Sequence, residues 1–167
     1  MPKIIENLRS QLLSEAKKQI SERGYKNTTI RSVANGCGVA VGTVYNYFKS
    51  KDILIASFIL ESWIDCVQSI AQYPKEDRKA FLLYMHTSLK AFARNYTSLF
   101  TDKDAAGAFN IAFFERHKQL RSQLAELIRP IAYSDFSAEY IAESLLTWTM
   151  AGKNFDDIYE LLPSQIK

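Results

Sequence analysis

The 167-residue chain carries its apolar positions at helical rather than alternating spacing almost throughout. Near the start, Ile5, Leu8, Leu12, Ala16 and Ile20 form one stripe of a helix predicted over residues 3–23, with Gly24 placed as its stop. Thr28 and Thr29 are both competent N-caps, since a hydroxyl can accept from the free amides of a first helical turn. Ile30, Val33 and Ala34 then give a short second helix one apolar face, while Arg31 and Ser32 point elsewhere. Asn35-Gly36-Cys37-Gly38 breaks it, because glycine accepts positive φ without steric penalty and lets the chain reverse sharply. A third short helix is predicted over residues 40–48. Its Val44 and Phe48 face inward four residues apart, which leaves Gly42, Thr43, Tyr45, Asn46 and Tyr47 on the open side.

Ser50 is a good N-cap for a fourth helix that includes Ile53, Leu54 and Phe58 and reaches Gln72, where Tyr73-Pro74 ends it. Three further helical segments are predicted at about 76–96, 104–129 and 135–161. No strand-like alternation survives for more than a few residues, and neither repeats nor a low-complexity linker appear, so the predicted fold is all-α. Ala105, Ala108, Phe109, Ala112 and Phe113 recur at helical spacing in one segment, as do Ile141, Leu145, Trp148 and Thr149 in the other. Such faces either pair with their copies about a two-fold axis as a four-helix bundle or close the monomer's own core. Periodicity does not separate the two.

Hydrophobic residues make up 47% of the chain, enough for a sizeable core. Polar residues break the longest apolar stretches well before ~20 positions, so no membrane span is expected. The first nineteen residues lack a secretory apolar run and read as amphipathic, so the expected location is the cytoplasm. Cys37 and Cys66 are too few for a disulfide framework and lack metal-ligand spacing; Cys37 reads as a small buried thiol. The net charge of +3 is unevenly spread: residues 1–55 hold nine Lys/Arg against four Asp/Glu, a local +5. A positive field at that end draws in phosphate.

The chemistry that these residues offer is recognition of DNA. The first-turn amides and hydroxyls at Thr28 and Thr29 can face a phosphate, which helix N-termini favour. Gly42 lets backbone approach a base edge or sugar closely. Thr43 and Asn46 can hydrogen-bond base edges or phosphate. Tyr45 and Tyr47 each offer a packing ring and a hydroxyl. Enzyme readings find no footing in a phosphate-binding glycine loop, a paired-histidine metal motif or a serine elbow, and no cofactor or metal is implied. Beyond residue 55 the chain is rich in aromatics, which mostly belong to a core but also suit a ring-lined helical cavity for a small molecule. His86, Glu115 and His117 are its polar candidates.

The run Ala34-x-x-Cys37-Gly38-Val39-Ala40-Val41-Gly42-Thr43-Val44-Tyr45-Asn46-Tyr47-Phe48-Lys49-Ser50-Lys51 resembles the signature of the tetracycline-repressor (TetR) family of bacterial transcriptional regulators. The resemblance covers the first third of the chain; the rest matches only in being helical. It implies a helix-turn-helix DNA-binding domain over residues 1–50, joined to a helical effector-binding and dimerisation domain over 51–167. It further implies a homodimer that binds double-stranded operator DNA, most simply a repressor released by an effector, which the aromatic-rich helical domain leads us to expect to be small and apolar or aromatic. By the same resemblance, Tyr45 and Tyr47 match phosphate and base contacts, and Lys51 matches a backbone-binding lysine at the start of helix four. Two positions depart from the pattern. Ala40 stands where a serine usually caps the recognition helix, and Val41 stands where a polar or basic residue is common, so a base contact there would be apolar, for instance with a thymine methyl.

The DNA-facing set is therefore Thr28, Thr29, Arg31, Val41, Gly42, Thr43, Tyr45, Asn46, Tyr47, Lys49 and Lys51. Trp63, Tyr84, Phe113, His117 and Trp148 are the effector-facing candidates. The competing reading is an adaptor or co-regulator that works through protein contacts without binding an operator; Tyr45, Tyr47, Lys49 and Lys51 argue against it.

Overall fold

A computed structural model describes residues 7–167, whose regular structure is helical, with one isolated β-bridge between Ala132 and Ile166 and no strand among them. The predicted start of the first helix, with Lys3 and Ile5, lies outside the described residues. Ten α-helices follow in order: α1 Leu8–Asn27, α2 Ile30–Gly36, α3 Val41–Tyr47, α4 Lys51–Gln72, α5 Arg78–Asn95, α6 Thr97–Thr101, α7 Ala106–Phe109, α8 His117–Ile128, α9 Asp135–Met150 and α10 Phe155–Tyr159. They form two compact units. One comprises the chain up to Glu61 together with Thr97–Glu115, the other Ser62–Tyr96 with Arg116–Lys167.

In the first unit, α1 buries the predicted stripe at Leu8, Leu12, Ala16 and Ile20 and adds Leu13. Gly24 interrupts its helical backbone at φ +78°, in the left-handed half that other residues avoid. Ile30, Val33 and Ala34 of α2 and Val44 of α3 are buried, as are Phe48 after α3 and Leu54, Ile55, Phe58 and Ile59 in the first half of α4. Removing such side chains from water stabilises the fold by about 1.5–3 kcal/mol each, which fixes the short helices despite their length.

The second unit packs α8 along α9 and α5 against α9. Trp63, Ile70, Phe81, Leu82, Met85, Leu89, Leu124, Ile128, Ile141 and Leu145 are almost fully buried there. Caps match the sequence: the Asp77 carboxylate accepts from Ala80 N at 2.9 Å at the start of α5, and Ser134 Oγ accepts from Ser137 N at 3.0 Å at the start of α9.

Three expectations need correction. The segment 104–129 is not one helix: a 3-10 turn at Lys103–Ala105, α7, a π-helical turn at Asn110–Phe114 and the non-helical Arg116 (φ −116°, ψ 4°) precede α8. Turns of this kind shift the phase by only a residue, so apolar periodicity runs through them. The side chain of Phe109, part of that predicted face, lies outside those described. The segment 135–161 is divided at Gly152, whose φ of +79° ends α9 while Lys153 N donates back to the Trp148 carbonyl at 2.9 Å. Finally, α4 is by length and composition apolar enough to cross a bilayer. The burial of Leu54, Ile55, Phe58, Ile59, Trp63 and Ile70 within the protein accounts for that hydropathy.

Candidate nucleic-acid interface

The turn between α2 and α3 is made by Gly38 alone in the left-handed region, at φ +67°; Gly36 remains helical. Gly38 N donates to the Asn35 carbonyl at 3.1 Å and Val39 N to the Ala34 carbonyl at 3.0 Å, so the reversal satisfies its own amides. Of the seven residues of α3, only Val44 is buried. Gly42 and Asn46 are exposed, Val41 and Thr43 are half-buried, and Tyr45 and Tyr47 are 46% and 47% exposed. The Tyr47 ring lies 6.4 Å from that of the buried Phe48. Two large rings left on a short helix form a face ready to be covered. Arg31 and Lys49 are exposed beside it in sequence.

The two threonines before α2 part company. Thr29 is the N-cap: its Oγ1 accepts from Ser32 N at 3.0 Å, and Ser32 Oγ accepts from Thr29 N at 2.9 Å, completing a capping box. Thr28 is buried, and its hydroxyl donates to the Gly24 carbonyl at 2.9 Å, so it has no surface to offer. Ala40 has extended backbone (φ −70°, ψ 147°) and caps α3 without a side-chain hydrogen bond, as the sequence implied. The cap of α4 is as expected, with Ser50 Oγ accepting from Ile53 N at 3.1 Å.

Lys51 is half-buried rather than projecting. Its ammonium donates to the Tyr25 carbonyl and sits 3.6 Å from the centre of the Tyr25 ring. Burial lowers its pKa, and Asp52, Asp102 and Asp104 partly offset that effect. Tyr25 Oη donates to Asp52, and burial together with this carboxylate pushes the phenol well above its ordinary range. Gly107 of α7 supports the cluster by lacking a side chain, since a Cβ there would come within 2.5 Å of Asp52 Oδ2. Arg9 is likewise engaged, paired with Glu61 and stacked 5.6 Å from the Phe48 ring centre. Sequence reasoning missed this cluster because its members are far apart in the chain.

The effector candidates do not converge. Trp63 is buried, with Nε1 donating to Gln123 Oε1 at 2.7 Å and its ring edge-on to Phe92. Tyr84 stacks on Tyr73 at 4.2 Å and shares a hydrogen bond with Ser69. Phe113 is buried in the π-helical turn of the first unit. His117 pairs with Glu143 at 3.0 Å. Only Trp148 lines a cavity, one of about 280 Å³ walled also by Tyr140, Ile158, Leu161 and Leu162, with Ser144, Lys153 and Asp157 as its polar lining. Among the described residues no group of His, Cys, Asp or Glu could hold a metal.

A three-helix reading head with an open, aromatic and polar third helix, followed by a long helix into a second helical unit, defines a helix-turn-helix regulator. Residues 12–58 match the sequence pattern of the bacterial regulatory proteins of the tetR family. The HTH-type transcriptional regulator SAR0097 of Staphylococcus aureus (strain MRSA252) is 30% identical over 139 residues, covering 75% of this chain and 72% of that protein. This chain therefore belongs to the tetR family of transcriptional regulators. The HTH-type transcriptional regulator HbdR of Aromatoleum sp. (strain CIB) is 43% identical over 54 residues, 32% of this chain but only 24% of that protein. In fold, the chain is similar to the transcriptional regulator FadR of Bacillus subtilis solved with stearoyl-CoA, with a TM-score of 0.53 and 22% identity over 95% of this chain and 99% of that one.

Proposed function

We propose that the chain acts as a homodimeric repressor in the cytoplasm that reads operator DNA with α3 and releases it on binding a small apolar or aromatic effector. The observation that carries the DNA reading is the open face of α3, where Tyr45, Asn46, Tyr47 and Gly42 are exposed and only Val44 serves the core. In this reading Thr43, Asn46 and Val41 face base edges, while Tyr45, Tyr47, Thr29, Arg31 and Lys49 hold the phosphates. Lys51 adds charge at the start of α4 and holds Tyr25. Thr28, being buried, is left out. Residues 1–50 form the reading head.

Dimerisation is supported by α9, where Phe136, Tyr140 and Trp148 are 75%, 41% and 48% exposed at positions that repeat along one side of the helix. A second copy of that face would cover all three rings. The effector reading rests on the largely apolar cavity beside Tyr140 and Trp148. An apolar ligand there can loosen DNA only by as much as it prefers the DNA-free conformation.

Gel-shift titration against DNA from the protein's own promoter region, over a series of salt concentrations, tests the proposal. Retardation that weakens steeply with salt supports operator binding. Failure to retard any such DNA at low salt removes it and favours the adaptor.

A further inference from the structure

A second cavity in the second unit, about 580 Å³, lies between the side of α5 that carries His86, Lys90 and Arg94 and the segment Asn154–Asp157 that opens α10. It shares Asp157 with the first cavity but adds two basic side chains of α5. Lys90 and Arg94 are one helical turn apart and face the same space, and neither has an ion-pair or hydrogen-bond partner among the described residues. Across from them, Asp156 is drawn to Lys79 at 3.8 Å, which leaves Asp157 as the unengaged carboxylate. Opposite charges thus line two walls of one cavity without closing an ion pair. Leu83 and Phe155 supply apolar surface between them, and Leu83 is 44% exposed although large and apolar. His86 is buried at this wall, its Nδ1 2.8 Å from Thr149 Oγ1 and its ring 5.7 Å from that of Phe155.

We infer that this cavity binds a small zwitterion of amino-acid type with an apolar side chain. The ligand carboxylate meets Lys90 and Arg94, its ammonium meets Asp157, and the side chain lies on Leu83 and Phe155. Lys90, Arg94 and Asp157 are exposed, so a simple anion or a simple cation gains contacts on one wall only and leaves the other to water. A dipolar ligand of matching sense pairs with both. The site is separate from the α3 face and does not depend on the DNA-binding reading.

The protein has only two histidines, His86 at this cavity and His117 paired with Glu143, so ring resonances give a site probe and an internal control in one spectrum. The full chain is titrated with L-phenylalanine, 3-phenylpropionate (no ammonium) and phenethylamine (no carboxylate) while the histidine ring signals are followed by NMR. L-Phenylalanine should shift His86 saturably, leave His117 in place and bind more tightly than either truncated probe. Lys90→Gln with Arg94→Gln should weaken it by about tenfold or more, as removal of charge-assisted hydrogen bonds predicts. Asp157→Asn should weaken L-phenylalanine while leaving 3-phenylpropionate unchanged or tighter. These variants sit at exposed positions, and an unchanged wild-type-like spectrum confirms their folding. No saturable His86 shift with L-phenylalanine, equal binding of 3-phenylpropionate, or indifference to the charge-removing variants overturns the inference.

Discussion

Gln19 holds Ser32 at two points: Ser32 Oγ donates to Gln19 Oε1 at 2.5 Å, and Gln19 Nε2 donates to the Ser32 carbonyl at 3.0 Å. Because Ser32 is also half of the capping box at Thr29, the buried carboxamide fixes the start of α2 against α1. Glu15 Oε1 accepts the remaining proton of the carboxamide at 2.6 Å. The orientation of the reading head thus rests on a polar pairing inside its core.

Gln19→Leu keeps the volume but sets an apolar side chain against the Ser32 carbonyl and hydroxyl. Ser32 Oγ keeps its bond to the Thr29 carbonyl at 2.9 Å, so the expected loss is that of the two hydrogen bonds made through Gln19, about 1–3 kcal/mol. Urea denaturation of both proteins measures it. A loss under about 0.5 kcal/mol would mean that Ser32 finds another partner at once.

Ala40 has the backbone of an N-cap without the side chain for it. Ala40→Ser supplies an acceptor for an orphan amide of α3, in an exposed place where a hydroxyl has no desolvation to overcome. Stability should rise by about 0.5–2 kcal/mol in thermal melts. No gain would show that the α3 amides are already satisfied by solvent.

The helix-turn-helix was legible because its determinants are local: spacing of Ile30, Val33, Ala34, Val44 and Phe48, a threonine cap and a glycine at the turn. Which threonine caps was not, since Thr28 and Thr29 differ only in what surrounds them once α1 has kinked at Gly24. The later helices were legible as helical but not in their breaks, because the π-helical turn at Asn110–Phe114 preserves the apolar repeat. Effector residues were the least legible. Ring count does not tell Trp63, tied to Gln123 in the core, from Trp148, which lines a cavity.

Lys49 and Lys51 are two residues apart, yet only Lys49 is exposed and without a partner among the described residues. Lys49→Ala should lower affinity for any DNA sequence and flatten the salt dependence by about one unit, as expected when one fewer phosphate is neutralised. Lys51→Ala removes the bond to the Tyr25 carbonyl as well, so it should also lower the melting temperature, where Lys49→Ala should not. Gel shifts over a salt series with parallel melts separate the two. If Lys51→Ala changes only the salt slope, the bond to Tyr25 carries no stability.

His86 is buried, and burial together with the neighbouring positive charge of Lys90 lowers its pKa. Thr149 holds its Nδ1, while Asp156 and Asp157 of α10 line the same cavity and do not reverse the shift. The unfolded chain takes up the proton at about pH 6.5, whereas the folded chain resists it until a lower pH. Stability contributed by neutral His86 is therefore complete above about 6.5 and is lost as pH falls toward the lowered folded value. Urea denaturation at about pH 7 and about pH 5.5 should show the wild type weakening over that window. His86→Gln, which can still bond Thr149 but does not titrate there, should weaken less. A gain in stability on acidification that is present in the wild type and absent in His86→Gln would mean that the fold prefers His86 charged, and that a carboxylate of α10 rather than burial governs it.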